Sequence, residues 1–244
     1  MSSLPEGTFS HAIRPFDTLP RLARKYGTTE SAILELNPGM NPGSLQAGHT
    51  INICPGYTSR RSRISRTQLH LNNLIRLLWE QHVFWTRLAI ISIVRNLPDA
   101  SVVIDRLLRN PIDFQMALEP LYGRKIAGMF AALLRDHLVI AAELVTAARD
   151  EDTERAADAE RRWFENADDI AAFLGRINPH WSEQEWRTML YEHLKLTKAE
   201  AVSQITEDFS AGISLFDDIE EQALEMADVM TQGIIDQFPQ RFRA

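Results

Sequence analysis

One cysteine, Cys54, is all that this chain of 244 residues contains, so no internal disulfide can staple the fold and packing must hold it together. No apolar run is long enough to cross a bilayer. The longest, around Leu88 to Val94, is interrupted by Ser92 and falls far short of the roughly 20 residues a span requires. The first residues, Met1-Ser2-Ser3-Leu4-Pro5-Glu6-Gly7, offer neither a basic region nor an apolar stretch, so no secretory signal is expected there and synthesis in the cytoplasm follows. The larger part of the chain lacks β-rich runs and glycine-rich phosphate loops. The Glu-x-x-His pairs that build dinuclear carboxylate centres in helical bundles are also missing.

What is present is ordinary in bulk, with 45% hydrophobic and 24% charged residues, the composition of a soluble globular protein. The net charge of −7 is unevenly spread: residues 1–57 are neutral, residues 58–68 carry +4 and the remainder −11. A major domain this acidic excludes nucleic acid as its main partner.

Three regions follow from the pattern. In residues 1–57, Thr8 to Ile13 alternates like a short strand. Thr18 to Tyr26 reads as a helix capped by Thr18 and stopped at Gly27, and Thr29 to Leu36 as a second helix capped by Thr29. Thr50 to Ile53 alternates again, giving a small βααβ domain. Residues 58–68, with four arginines and no periodicity, read as a flexible basic tether. Residues 69–244 show helical periodicity over Leu71–Asn96, Arg124–Asp150, Thr153–Ile177, Ser182–Thr206 and Ser210–Phe238. Two short helices, Asp99–Arg109 and Ile112–Tyr122, bridge the first pair, and Leu97-Pro98, Asn110-Pro111, Gly123 and Asn178-Pro179 act as stops. The fold class expected is mostly α: the small βααβ domain plus an all-α bundle.

Within the bundle, Arg135-Asp136-His137-Leu138 and Tyr191-Glu192-His193-Leu194 each place a histidine after a carboxylate on an otherwise apolar stripe. The segments around them align without gaps, from Phe130 to Asp152 against Trp186 to Asp208. Extending the alignment to the preceding helices sets His82 opposite Asn166 and suggests two duplicated helical hairpins plus an extra C-terminal helix. Each of four helices would then deliver one polar group at a comparable place: His82, His137, Asn166 and His193, with Asp169 on the face of Asn166. Three imidazoles and an amide or carboxylate suit one divalent metal, Zn, Fe or Mn. The alternative is structural: inward histidines bonded to Asp169, Asn166, Thr86 or Tyr191 to fix the packing. Arg87 is expected in a surface or bridging pair, and the five tryptophans in packing.

The N-terminal region resembles the LysM domain. The residues that carry the likeness are Asp17-Thr18-Leu19, Ala23-Arg24-Lys25-Tyr26-Gly27, Leu36-Asn37-Pro38 and Leu45-Gln46-Ala47-Gly48 leading into Ile51 and Ile53. Phe16 stands where the family usually has glycine. The resemblance implies binding of N-acetylglucosamine-containing glycan, peptidoglycan or chitin-like, in a groove formed by Asp17, Thr18, Leu19, Asn41, Pro42, Gly43, Ser44 and Leu45. The helical region resembles an uncharacterised family of short helical proteins from spore-forming bacteria. It does so through Leu78-Trp79-Glu80-Gln81-His82, Leu107 to Pro111, Asn166 to Ala171 and Leu190 to Leu194. An acetylglutamate kinase label carried by some members finds no support here, because the parallel sheet is missing. The leading expectation is a noncatalytic glycan binder that localises the bundle to a spore or cell envelope. The alternatives are a metal-binding enzyme or sensor and a scaffold that self-associates or docks envelope proteins.

Overall fold

The computed structural model describes residues 4–14, 17–38, 40, 45–56 and 65–243, and the chain divides into two compact units, Met1–Ile64 and Ser65–Ala244. The first unit runs β1 (Phe9–Ala12), α1 (Leu19–Lys25), α2 (Glu30–Leu36), β2 (Thr50–Ile53). The strands pair antiparallel, with Phe9 opposite Ile53 and Ala12 opposite Thr50. Both helices start where a threonine hydroxyl accepts a backbone N–H, Thr18 from Arg21 and Thr29 from Ala32. Gly27 takes φ +59, the left-handed conformation that ends α1 without a Cβ clash. Ile13, Leu19, Leu22, Ala23, Ile33, Ile51 and Ile53 form the core. Asn37 ties α2 to β2, donating to the carbonyls of Ile33 and Asn52 and accepting the Asn52 N–H.

The second unit is all helical: α3 (Arg66–Val94), α4 (Ala100–Leu107), α5 (Asn110–Arg149), α6 (Thr153–Ile177), α7 (Glu183–Ile205), α8 (Phe209–Gln237) and a closing 3₁₀ turn at Pro239–Arg241. α3 begins inside the stretch read as a tether, because Ser65 and Gln68 form a reciprocal capping box. The two segments read as Ile112–Tyr122 and Arg124–Asp150 join as α5, with a sharp kink at Gly123, whose φ of +79 and ψ of 159 are not helical. α3, α5, α6, α7 and α8 pack side by side into a bundle.

One end of its core is filled by large rings. Trp79 meets Phe114 edge-on at 5.4 Å and stacks on Trp186 at 6.5 Å, and Phe114 meets Phe130 at 5.7 Å. Trp186, Phe114 and Phe130 are at most 1% exposed. Gly233 is there because Trp181 leaves no room for a side chain: a Cβ would lie 2.0 Å from the indole Nε1.

Candidate functional site

Above that aromatic layer, α3, α5 and α7 each turn one histidine inward, His82, His137 and His193, all at most 2% exposed. One nitrogen from each ring lies within 4.8 Å of the other two, and the ring centroids stand 6.2, 5.6 and 6.4 Å apart.

Each imidazole has its own amide. His82 Nδ1 meets Asn110 Oδ1 at 3.2 Å, His137 Nδ1 meets Asn166 Oδ1 at 2.9 Å, and His193 Nδ1 meets Gln222 Oε1 at 3.2 Å. The amide NH₂ groups decide the proton positions. Asn110 donates to the Leu78 carbonyl, Asn166 to that of Leu133 and Gln222 to that of Met189, in each case the residue four before the histidine. With its nitrogen committed to a carbonyl, each amide turns its oxygen to the ring. An amide oxygen can only accept, so Nδ1 carries the proton and Nε2 is left with a bare lone pair.

The bundle therefore repeats one device three times, a histidine with an amide 28 or 29 residues later. The helix ends repeat with it. Fourteen residues after each histidine the chain enters the left-handed region, at Asn96, Glu151 and Glu207. The next N–H then bonds back across the helix end, Leu97 to Ser92, Asp152 to Ala147 and Asp208 to Ser203. This corrects the register expected from sequence. His82 corresponds to His137 and His193, while Asn166 corresponds to Asn110 and Gln222. In the first repeat α4 and the start of α5 together occupy the stretch that α6 and α8 fill in the other two.

The electrostatics agree with the hydrogen bonds. Burial pushes His82 down to about 4. Burial and then the nearness of His82 push His137 down to about 3, and His193 falls well below its ordinary range for the same reasons. All three rings are neutral at pH 7, the form in which imidazole ligates a metal.

Asp169 is exposed on α6 and takes no part in the cluster, because the Asn166 side chain fills the inward position. Asn166 itself holds His137 from behind and uses both ends of its amide in doing so. Tyr191 bonds Asp168, and the Thr86 hydroxyl donates to the His82 carbonyl, leaving the ring alone. Arg87 is a bridging residue: it pairs with buried Glu200 and donates to the Gly212 carbonyl at 3.0 Å, joining α3, α7 and α8. Sequence reasoning missed Asn110 and Gln222. The histidine-to-amide interval was the signal that could have found them.

In the first unit, Asp17 accepts the Arg14 N–H at 2.7 Å and bonds His11 Nε2 at 2.8 Å, while His11 Nδ1 bonds the Tyr26 hydroxyl at 2.9 Å. Thr18 caps α1, and the Leu19 side chain, 2% exposed, belongs to the core and cannot line a groove. Leu45 is partly buried against that core. Asn41, Pro42, Gly43, Ser44 and Phe16 lie outside the described residues.

Fold and site together define a small two-stranded module joined to a helical bundle with a buried three-histidine cluster. Residues 11–53 match the LysM domain, a glycan-binding module typical of the cell envelope. A Bacillus licheniformis protein that carries the name L,D-transpeptidase YkuD is 31% identical over 103 residues, covering 41% of this chain and 62% of that protein. The chain thus spans less than two thirds of that relative, and the likeness covers the LysM region. No solved structure matches the chain. The likeness of the helical region to a family from spore-forming bacteria lies outside what these matches cover. No helix among the described residues is long and apolar enough to cross a membrane.

Proposed function

We propose that this protein attaches a metal-dependent centre to envelope glycan. Residues 11–53 bind N-acetylglucosamine-containing polymer, and His82, His137 and His193 hold one divalent transition metal through Nε2. One observation carries the metal reading: every Nδ1–H is bonded to an amide that is itself anchored to backbone, which leaves Nε2 as the donor of each ring, and one nitrogen from each ring lies within 4.8 Å of the other two. Histidines that serve packing alone use both ring nitrogens or leave one toward solvent, whereas ligating histidines are held from behind by an oriented acceptor. Three protein donors without a carboxylate match the complement of catalytic zinc sites, which keep a coordination position open. That favours a metal-dependent enzyme over a purely structural ion. The likeness to the Bacillus licheniformis protein supports the glycan-binding part and extends no activity to the bundle.

Elemental analysis of protein purified without an affinity tag, before and after incubation with Zn²⁺, Fe²⁺ or Mn²⁺, tests the centre. About one metal per chain is expected in wild type and none in His137→Ala. A wild type that takes up no metal sinks it. Cosedimentation with insoluble peptidoglycan tests the head independently.

A further inference from the structure

The packing on the two sides of the histidine layer is unequal. Toward the start of α3, α5 and α7 it is closed by Trp79, Phe130 and Trp186. Toward their ends, the residues four beyond each histidine are small, Thr86, Ala141 and Thr197. They form the floor of a cavity of about 70 Å³ walled by Ile90, Leu138, Val145, Trp163 and Ala201, with almost no polar surface. Lys198 and Val202, exposed members of the lining, set its mouth along α7. The histidines themselves lie one helical turn below the floor, about 6 Å along the axis.

Two polar groups in this wall are without a partner, the Trp163 indole N–H and the Thr197 hydroxyl. Thr86 and Thr197 occupy the same place in their units. The Thr86 hydroxyl donates to the carbonyl of His82 at 2.7 Å, while the Thr197 hydroxyl, on a residue only 4% exposed, has no hydrogen-bond partner. A buried hydroxyl without a partner is costly, so a structure that keeps one in an apolar wall is arranged for a ligand that supplies the missing bond. Charge says what that ligand carries. A dication on three neutral imidazoles is a buried, uncompensated charge. No carboxylate belongs to the cluster among the described residues, and Glu200, two turns along α7, is already paired with Arg87.

We infer that this cavity takes a small molecule with a short apolar chain and one anionic, metal-ligating head, the head reaching the open coordination position past Thr197 and the chain filling the pocket toward Lys198 and Val202. The inference rests on the metal reading above. The pocket has roughly half the volume of an engineered apolar cavity that accepts benzene, so its natural occupant is a chain of a few carbons.

The test uses full-length protein loaded with Co²⁺, whose visible bands report the ligands of the ion, titrated with straight-chain carboxylates from acetate to hexanoate and with propanethiol. Binding is expected to perturb the bands and to tighten about fourfold with each methylene until the pocket is full. Ala201→Phe, which fills the cavity two turns from His193, should abolish the chain-length dependence and leave cobalt uptake intact. Thr197→Val, which removes only the hydroxyl, should weaken binding of the carboxylates about tenfold. Cobalt bound at one per chain with bands indifferent to every compound overturns this inference alone. Failure of wild type to bind cobalt at all overturns the metal reading and this inference with it. The chain-length series in wild type stands whether or not either variant folds.

Discussion

Four histidines among the described residues are buried, and they divide by how many of their nitrogens are occupied. His11 of the first unit uses both, one on the Asp17 carboxylate and one on the Tyr26 hydroxyl. It is a strut, closed at each end. His82, His137 and His193 use one nitrogen each, and their partners are neutral amides where His11 has a carboxylate. An amide oxygen in a dry core leaves the ring neutral. The same side chain is thus a finished structural element in one unit and a held-open donor in the other.

The largest test of that contrast is acid. For the three bundle histidines the folded values lie below the ordinary 6.5, at about 4 for His82 and about 3 for His137. As pH falls through 6.5 the unfolded chain takes up protons that the folded chain refuses. Stability is therefore complete above about pH 6.5 and is lost progressively as pH drops toward the folded values. With each group contributing up to about 1.36 kcal/mol per pH unit, metal-free protein should lose several kcal/mol between pH 6.5 and 5. Denaturant titrations of chelator-treated protein at several pH values read this directly. His137→Phe should flatten the slope by about a third, and a flat wild-type profile would mean that the rings are solvated.

Metal loading comes next. An ion that binds the folded state at one hundred times its dissociation constant adds about 2.7 kcal/mol. Thermal melts of the metal-loaded bundle should rise accordingly, His137→Ala should show no rise, and His11→Ala should keep the full response. If His11→Ala removes the response, the division between strut and donor fails.

A smaller effect should follow from the amides. Asn166→Ala leaves the His137 Nδ1–H without its acceptor and frees the Leu133 carbonyl. The expected cost is about 1–3 kcal/mol in stability and a 10- to 100-fold loss of metal affinity, read by competition with a chelating dye. An unchanged affinity would show that ring orientation does not depend on the amide.

The sequence makes the elements of both units legible because their punctuation is local. Thr18, Thr29 and Ser182 cap, Gly27 and Gly123 break, and the apolar stripes around His137 and His193 point inward as their spacing dictates. The site is only half legible. The histidines stand on stripes and can be found. Their partners are masked and only the histidine-to-amide interval betrays them, because Asn110 sits before Pro111 and reads as a helix stop, and Gln222 follows the acidic run of α8. Asn166 and Asp169 are separated by less than a turn, too little for periodicity to decide which faces inward. The threefold repeat is hidden for a related reason: the first amide stands beyond α4 at the start of α5, so an alignment by whole helices matches His82 to an amide.

The smallest expected effect lies in the first unit. Asp17 binds through one oxygen, which accepts the Arg14 N–H and meets His11. Asp17→Asn keeps an oxygen in that place, so the turn, the strut and the cap at Thr18 should survive with a loss under about 1 kcal/mol, and metal per chain should not change. Peptidoglycan cosedimentation then separates two roles for the same residue. If Asp17 only closes the His11 strut, the variant sediments as wild type does, and this is the result expected from a side chain already engaged on its own chain. A variant that melts like wild type yet stays in the supernatant would place the carboxylate's charge on the sugar and move Asp17 from the closed class of polar groups to the open one.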